Sequence, residues 1–162
     1  MGYKSILGIH KLKNSNTIKQ EQIMKKIFLI MISVSLSLMA DFTRNNTTQI
    51  VTDSKTTLQW QDDANVTKTW TQAIEYCEAL TLGSYSDWRL PNMNELTSIA
   101  DRSEINPAMD DTFINRKSRA YWSSTTYAGY TIFAWYVGFD DGAQSYYNKN
   151  YNGYVRCVRA GQ

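Results

Sequence analysis

The sequence predicts an α+β domain, and three observations carry that expectation. Between residues 69 and 102 two stretches show helical apolar spacing behind capping-box residues, Thr69 with Gln72 and Asn92 with Glu95. Beyond residue 120 the composition swings to aromatics with Ser, Thr and Gly, which favours strands and turns. The two cysteines, Cys77 and Cys157, fall one in the first helix and one in the last strand. Helices followed by a run of strands is an α+β order, and 162 residues with 43% hydrophobic and 20% charged content suffice for one core.

The chain opens with a polar, mildly basic stretch of 23 residues that shows no sustained period. Met24 stands directly before Lys25 and Lys26, so translation is expected to begin there, with residues 1–23 as an extension. Thirteen apolar or hydroxyl residues, Ile27 to Met39, then lead to Ala40 and polar Asp41, the pattern of a signal peptide over 24–40. A bilayer span needs about 20 residues, so no stable membrane span is expected after cleavage. A buried core helix is the competing reading, but the run has neither polar face nor cap. The remainder, 41–162, is expected to be a single exported domain, periplasmic or at the cell surface.

Loss of the leader changes the charge. Residues 1–40 hold six of the 17 basic residues and one of the 15 acids, which leaves 11 and 14 and a formal net charge of −3 for residues 41–162. A nucleic-acid partner therefore loses its compositional basis. The single histidine, His10, also lies in the leader, so the mature chain has no imidazole for general-base work or a histidine metal site. No cofactor and no metal are expected. The cysteine pair has no C-x-x-C spacing and, in an exported protein, is read as one disulfide; two buried free thiols are the alternative for a cytoplasmic chain.

In chain order, Gln49–Val51 and Thr57–Trp60 read as a hairpin turning at Asp53-Ser54-Lys55, and 62–65 as a polar connection. Trp70, Ala73, Ile74, Cys77 and Leu80 mark a helix from Trp70 to Leu80, ended by Gly83. Pro91 keeps Leu90 extended, and a second helix is expected from Met93 to Arg102. Strands follow at Ala120–Thr125, Ile132–Phe139, Gln144–Tyr147 and Gly153–Val158, with Asp141-Gly142 as a hairpin turn.

Five motifs occur in order: W-x-x-A-x-x-Y-C from Trp70 to Cys77, D-W-R-L-P-N-x-x-E-L from Asp87, Trp88, Arg89 and Pro91 through Glu95 to Leu96, Y-W-S-S-T around Trp122, F-D-D-G ending at Gly142, and V-R-C-V-R ending at Arg159. Together they resemble the family of the C-terminal domain of the Legionella collagen-like adhesin. That resemblance implies a C-type-lectin-like or formylglycine-generating-enzyme-like fold, with two helices packed on a twisted antiparallel sheet. It also implies an adhesin-like binding role. The E-P-N and W-N-D motifs of calcium-dependent lectin relatives do not occur.

Candidate ligand-binding residues come from two places. Tyr146, Tyr147, Asn148, Tyr151 and Asn152 offer flat apolar faces with hydrogen-bonding edges, suited to sugar rings or a protein partner; a tyrosine-covered core and loop is the plainer alternative. Arg116, Lys117 and Arg119 offer contacts for sulfate or phosphate groups, against a solvated basic loop. Asp87 and Arg89 are read as pinning their turn by hydrogen bonds to backbone and to each other, and Asp140-Asp141 as a turn rather than an acid pair. Asn65, in D-A-N-V-T, is an N-x-T acceptor with an acid two places before it. The leading expectation is an exported, non-enzymatic module for a glycan or cell-surface ligand. The alternatives are a structural or protein-interaction domain and, last, an enzyme of unknown reaction.

Overall fold

The computed structural model describes residues 17–26 and 41–161. Residues 17–26 belong to a unit ending at Ala40 and form a helix whose side chains are all exposed, a helix that the aperiodic sequence did not announce. The expected signal run, 27–39, lies outside the described residues.

From Asp41 the order is β1 (Phe42–Asn45), β2 (Ile50–Asp53), β3 (Leu58–Gln61), β4 (Val66–Lys68), α1 (Trp70–Glu78), α2 (Met93–Ser98), β5 (Ala120–Thr126), β6 (Phe133–Gly138), β7 (Ala143–Asn148), β8 (Gly153–Val155) and β9 (Val158–Ala160). The architecture is α+β with two sheets instead of the single one expected: β1-β2-β3-β9 and β4-β8-β5-β6-β7. Pairings are antiparallel except β5 with β8, where Tyr121 faces Tyr154 in a parallel register. The expected strand Gly153–Val158 is broken because Arg156 and Cys157 leave the ladder for distant partners, and the chain changes sheets between them and β9. β1 and β4 were not anticipated; each lies at a sheet edge and takes its conformation from its one neighbour.

Strand alternation builds two cores. Tyr121 and Val137 face one cluster with Trp60, Phe113, Phe139 and, from α2, Met93 and Leu96. Trp122 and Ala134 face the other, with Trp88, Leu90, Val155 and, from α1, Ala73 and Cys77. The five-stranded sheet is thus covered on both faces, with α1 and α2 on opposite sides.

Both helices start as their capping residues require. Thr69 N donates to Gln72 Oε1 (3.2 Å), while Glu95 N donates to Asn92 Oδ1 (2.9 Å) and Asn92 N to Glu95 Oε2 (2.8 Å). α2 is shorter than expected and stops at Ser98. Thr97 Oγ1 and Ser98 Oγ donate back to the Met93 and Glu95 carbonyls at 2.7 and 2.8 Å, and Ala100 is drawn into a bridge with Met109 that buries Ile99. α1 ends at Glu78, two residues early, with the Ala79 amide closing back onto Glu75 O and Gly83 turning the chain at φ +61°.

Two buried arginines fasten the C-terminus. Asp62 is fully buried and accepts from Arg44 Nε (2.7 Å), Arg156 Nη1 (3.0 Å) and the amides of Ile114 (3.0 Å) and Asn115 (3.1 Å). Arg156 also donates to Gln61 O (2.7 Å) and Asn115 O and lies over the Phe113 ring, 4.7 Å from its centroid. Arg159 clasps Asp87 through Nε (2.6 Å) and Nη2 (3.2 Å) and covers the Tyr85 ring at 3.7 Å. Asp87 and Arg89 therefore do not pair with each other as expected: Arg89 makes a two-pronged bond to Glu95 at 2.6 and 2.7 Å, while its backbone bridges Val158. Cys77 and Cys157 form the disulfide, Cα atoms 5.4 Å apart, tying α1 to the turn between β8 and β9.

These ion pairs set an acid response. The Arg159 hydrogen bond holds the Asp87 carboxyl below its ordinary value, and the Arg89 hydrogen bond does the same for Glu95. A carboxyl depressed in the fold stabilises it above the unfolded value, and that contribution is lost as pH falls through the folded one. Melting temperature is expected to drop between about pH 5 and about pH 2, and the Glu95→Gln variant, already without the charge, to fall less steeply over that window. Identical slopes for the two proteins would contradict this assignment.

Candidate functional site

The face of the five-stranded sheet that carries α1 also holds a cleft of about 190 Å³ lined by Ala120, Trp122, Tyr136, Tyr147, Asn152 and Gly153. Register explains the grouping. Trp122 on β5 pairs with Tyr136 on β6, their rings edge to face at 6.3 Å, and Tyr147 on β7 sits opposite small Ala134. Ala120 and Gly153 leave the space open. At Gly153 a Cβ would lie 2.7 Å from Trp122 Nε1, so only glycine lets β8 come this close to the indole. The indole is fixed by donation from Nε1 to Lys68 O at 3.1 Å. Tyr151 tilts over Tyr147 with centroids 4.8 Å apart, which extends the aromatic rim.

Of the tyrosine and asparagine residues singled out from sequence, Tyr147, Tyr151 and Asn152 come together here. Asn148 shapes the following turn, accepting from the Asn150 amide through Oδ1 (3.0 Å) and from the Tyr151 amide through its carbonyl (3.1 Å). Tyr146 is on the opposite face, because successive strand residues point to opposite sides. There it stacks flat on Tyr127, centroids 4.0 Å apart with 5° between planes, against the edges of Trp135 (5.6 Å) and Phe133 (6.0 Å). Trp122 and Tyr136 were not proposed as ligand residues. Their parity was visible within each strand, but their meeting depends on the β5–β6 register.

The basic cluster does not converge. Arg116 Nη1 donates to Met109 O (2.6 Å) and lines a depression with Asp101, Glu104, Asp110 and Asp111, so acids surround it. Lys117 is exposed, and its amide donates to Tyr121 Oη (3.0 Å). Arg119 Nη1 donates to Ser118 O (2.9 Å) and lines a separate depression with Asp140 and Tyr136. No single anion pocket is built from the three.

A wider groove of about 570 Å³ along β1 and β2 is lined mainly by hydroxyl and amide side chains, with Tyr85 as its aromatic member. Among the described residues no group of three or more His, Cys, Asp or Glu side chains is placed to hold a metal ion, and no helix is long and apolar enough to cross a membrane. The chemistry on offer in the aromatic cleft is stacking on ring faces plus hydrogen bonding from the Asn152 carboxamide and the tyrosine hydroxyls. No curated protein matches the sequence. The family model described as the Lcl C-terminal domain matches residues 49–159, a span that contains both cysteines, α1, α2 and every residue of the cleft, and the chain belongs to that family.

Proposed function

We propose that this protein is an exported, non-enzymatic binding module, periplasmic or at the cell surface, that takes a carbohydrate in the cleft between Trp122, Tyr136, Tyr147 and Asn152. The observation that carries this reading is the concentration of aromatic faces and one amide edge in a single concave site. Sugar rings present apolar C–H faces and hydroxyl rims, which such a site matches. Export is supported by the apolar run before Asp41 and by membership of an adhesin-associated family. The C-type-lectin-like reading of the fold is supported by the disulfide joining α1 to the C-terminal strands. Residues 41–162 contain no histidine, the side chain most often used for general acid–base catalysis.

A second reading, a protein-interaction domain, is favoured by the opposite face, where Tyr146 and Tyr130, both ring neighbours of Phe133, are exposed. A glycan array probed with the purified protein separates the two. Binding is expected, and Tyr147→Ala and Tyr151→Ala are each expected to weaken it about tenfold, about 1.4 kcal/mol. Absence of binding across the array would favour the protein partner.

A further inference from the structure

We propose that Asn65 is an acceptor for N-linked glycan transfer by a bacterial oligosaccharyltransferase. The inference rests on the export reading only for the place where transfer occurs. Three N-x-T triplets lie in the described residues, at Asn45, Asn46 and Asn65, and only Asn65 has an acid two places before it, Asp63, for a cationic enzyme surface to grip. Local structure separates them further. Asn45 Oδ1 is committed to a turn, accepting from the Thr47 (2.9 Å) and Thr48 (3.1 Å) amides, and Asn46 Oδ1 accepts from Arg44 Nη1 (2.7 Å). Asn65 is exposed in the connection before β4, and its carboxamide makes one long surface bond, Nδ2 to Asn115 Oδ1 at 3.3 Å. Thr67, two residues on, is also exposed and lies in β4, an edge strand of three residues. A transferase must free the acceptor carboxamide and its flanking backbone from their own partners to bring them into its site. Here that requires breaking one weak side-chain bond and loosening a short edge strand.

In the step, Asn65 Nδ2 attacks the anomeric carbon of a lipid-diphosphate-linked oligosaccharide. A C–N bond forms and the C–O bond to the diphosphate breaks. The lipid diphosphate leaves with the electron pair, and one amide proton passes through the enzyme to solvent.

Two experiments test this. The purified, folded full chain is incubated with a bacterial oligosaccharyltransferase and its lipid-linked oligosaccharide, then measured by intact mass and peptide mapping. One added glycan on Asn65 is expected, lost in Asn65→Gln and retained in Asn45→Gln and Asn46→Gln. Asp63→Asn, which keeps an acceptor for the 2.8 Å bond from Gln61 Nε2 but removes the charge, is also expected to lose the glycan. No added mass, or attachment at Asn45 or Asn46, overturns the assignment. The second experiment expresses the full chain in cells carrying the same enzyme and donor. A mature N-terminus at Asp41 with bare Asn65 overturns modification in the cell. An uncleaved leader overturns the export reading, and the purified reaction then decides the site.

Discussion

Replacing Asp62 by Ala is expected to destabilise the domain by about 3–5 kcal/mol, the largest effect of any single substitution considered. Asp62 is buried between two guanidiniums, and it is also the acceptor for the Ile114 and Asn115 amides, so its removal leaves both cationic groups and two amide donors without their anion. Arg156 is the more exposed to this loss in energetic terms because its side chain is almost wholly buried, whereas Arg44 keeps a route to Asn46 and solvent. The check is denaturant unfolding of Asp62→Ala, Arg156→Met and the double variant. Residues in one network couple, so the double variant is expected to cost less than the sum of the two single ones. Additive costs would show that Asp62 and Arg156 stabilise independently.

Opening the disulfide is expected to cost about 2–5 kcal/mol, with chain entropy alone accounting for up to about 4.5 kcal/mol for a bond joining residues 80 apart. Both sulfurs are fully buried, so reduction should be slow in the folded protein and rapid once it unfolds. Cys77→Ala/Cys157→Ala, measured by thermal and denaturant unfolding beside the oxidised parent, gives the equilibrium cost. A double variant as stable as the parent would mean that the packing of α1 against Trp122 and Val155 suffices without the covalent link.

Local chemistry made part of this fold legible. Thr69 with Gln72 and Asn92 with Glu95 set the helix starts within three residues of themselves, and β5, β6 and β7 announced themselves by alternation and by Asp141-Gly142. Features decided at long range were not legible. Arg159 sits 72 residues from Asp87, and Arg156 94 from Asp62, so neither the partner of Asp87 nor the break between β8 and β9 follows from neighbouring residues. β1 and β4 carry no apolar alternation of their own. At the candidate site, residue type was readable in Tyr147, Tyr151 and Asn152, and the pleat alone separates Tyr146 from Tyr147. The contributions of Trp122 and Tyr136 required the strand register.

Occupation of the cleft over Trp122 and Tyr136 by a carbohydrate, as proposed, is read by amide and indole chemical-shift mapping with an oligosaccharide selected from the array. The Trp122 indole N–H, held on Lys68 O at the floor of the cleft, is the reporter. Shifts are expected at that indole and at the amides of Tyr136, Tyr147, Asn152 and Gly153. Shifts confined to Tyr127, Tyr130 and Tyr146 on the opposite face, with the Trp122 indole unmoved, would contradict it.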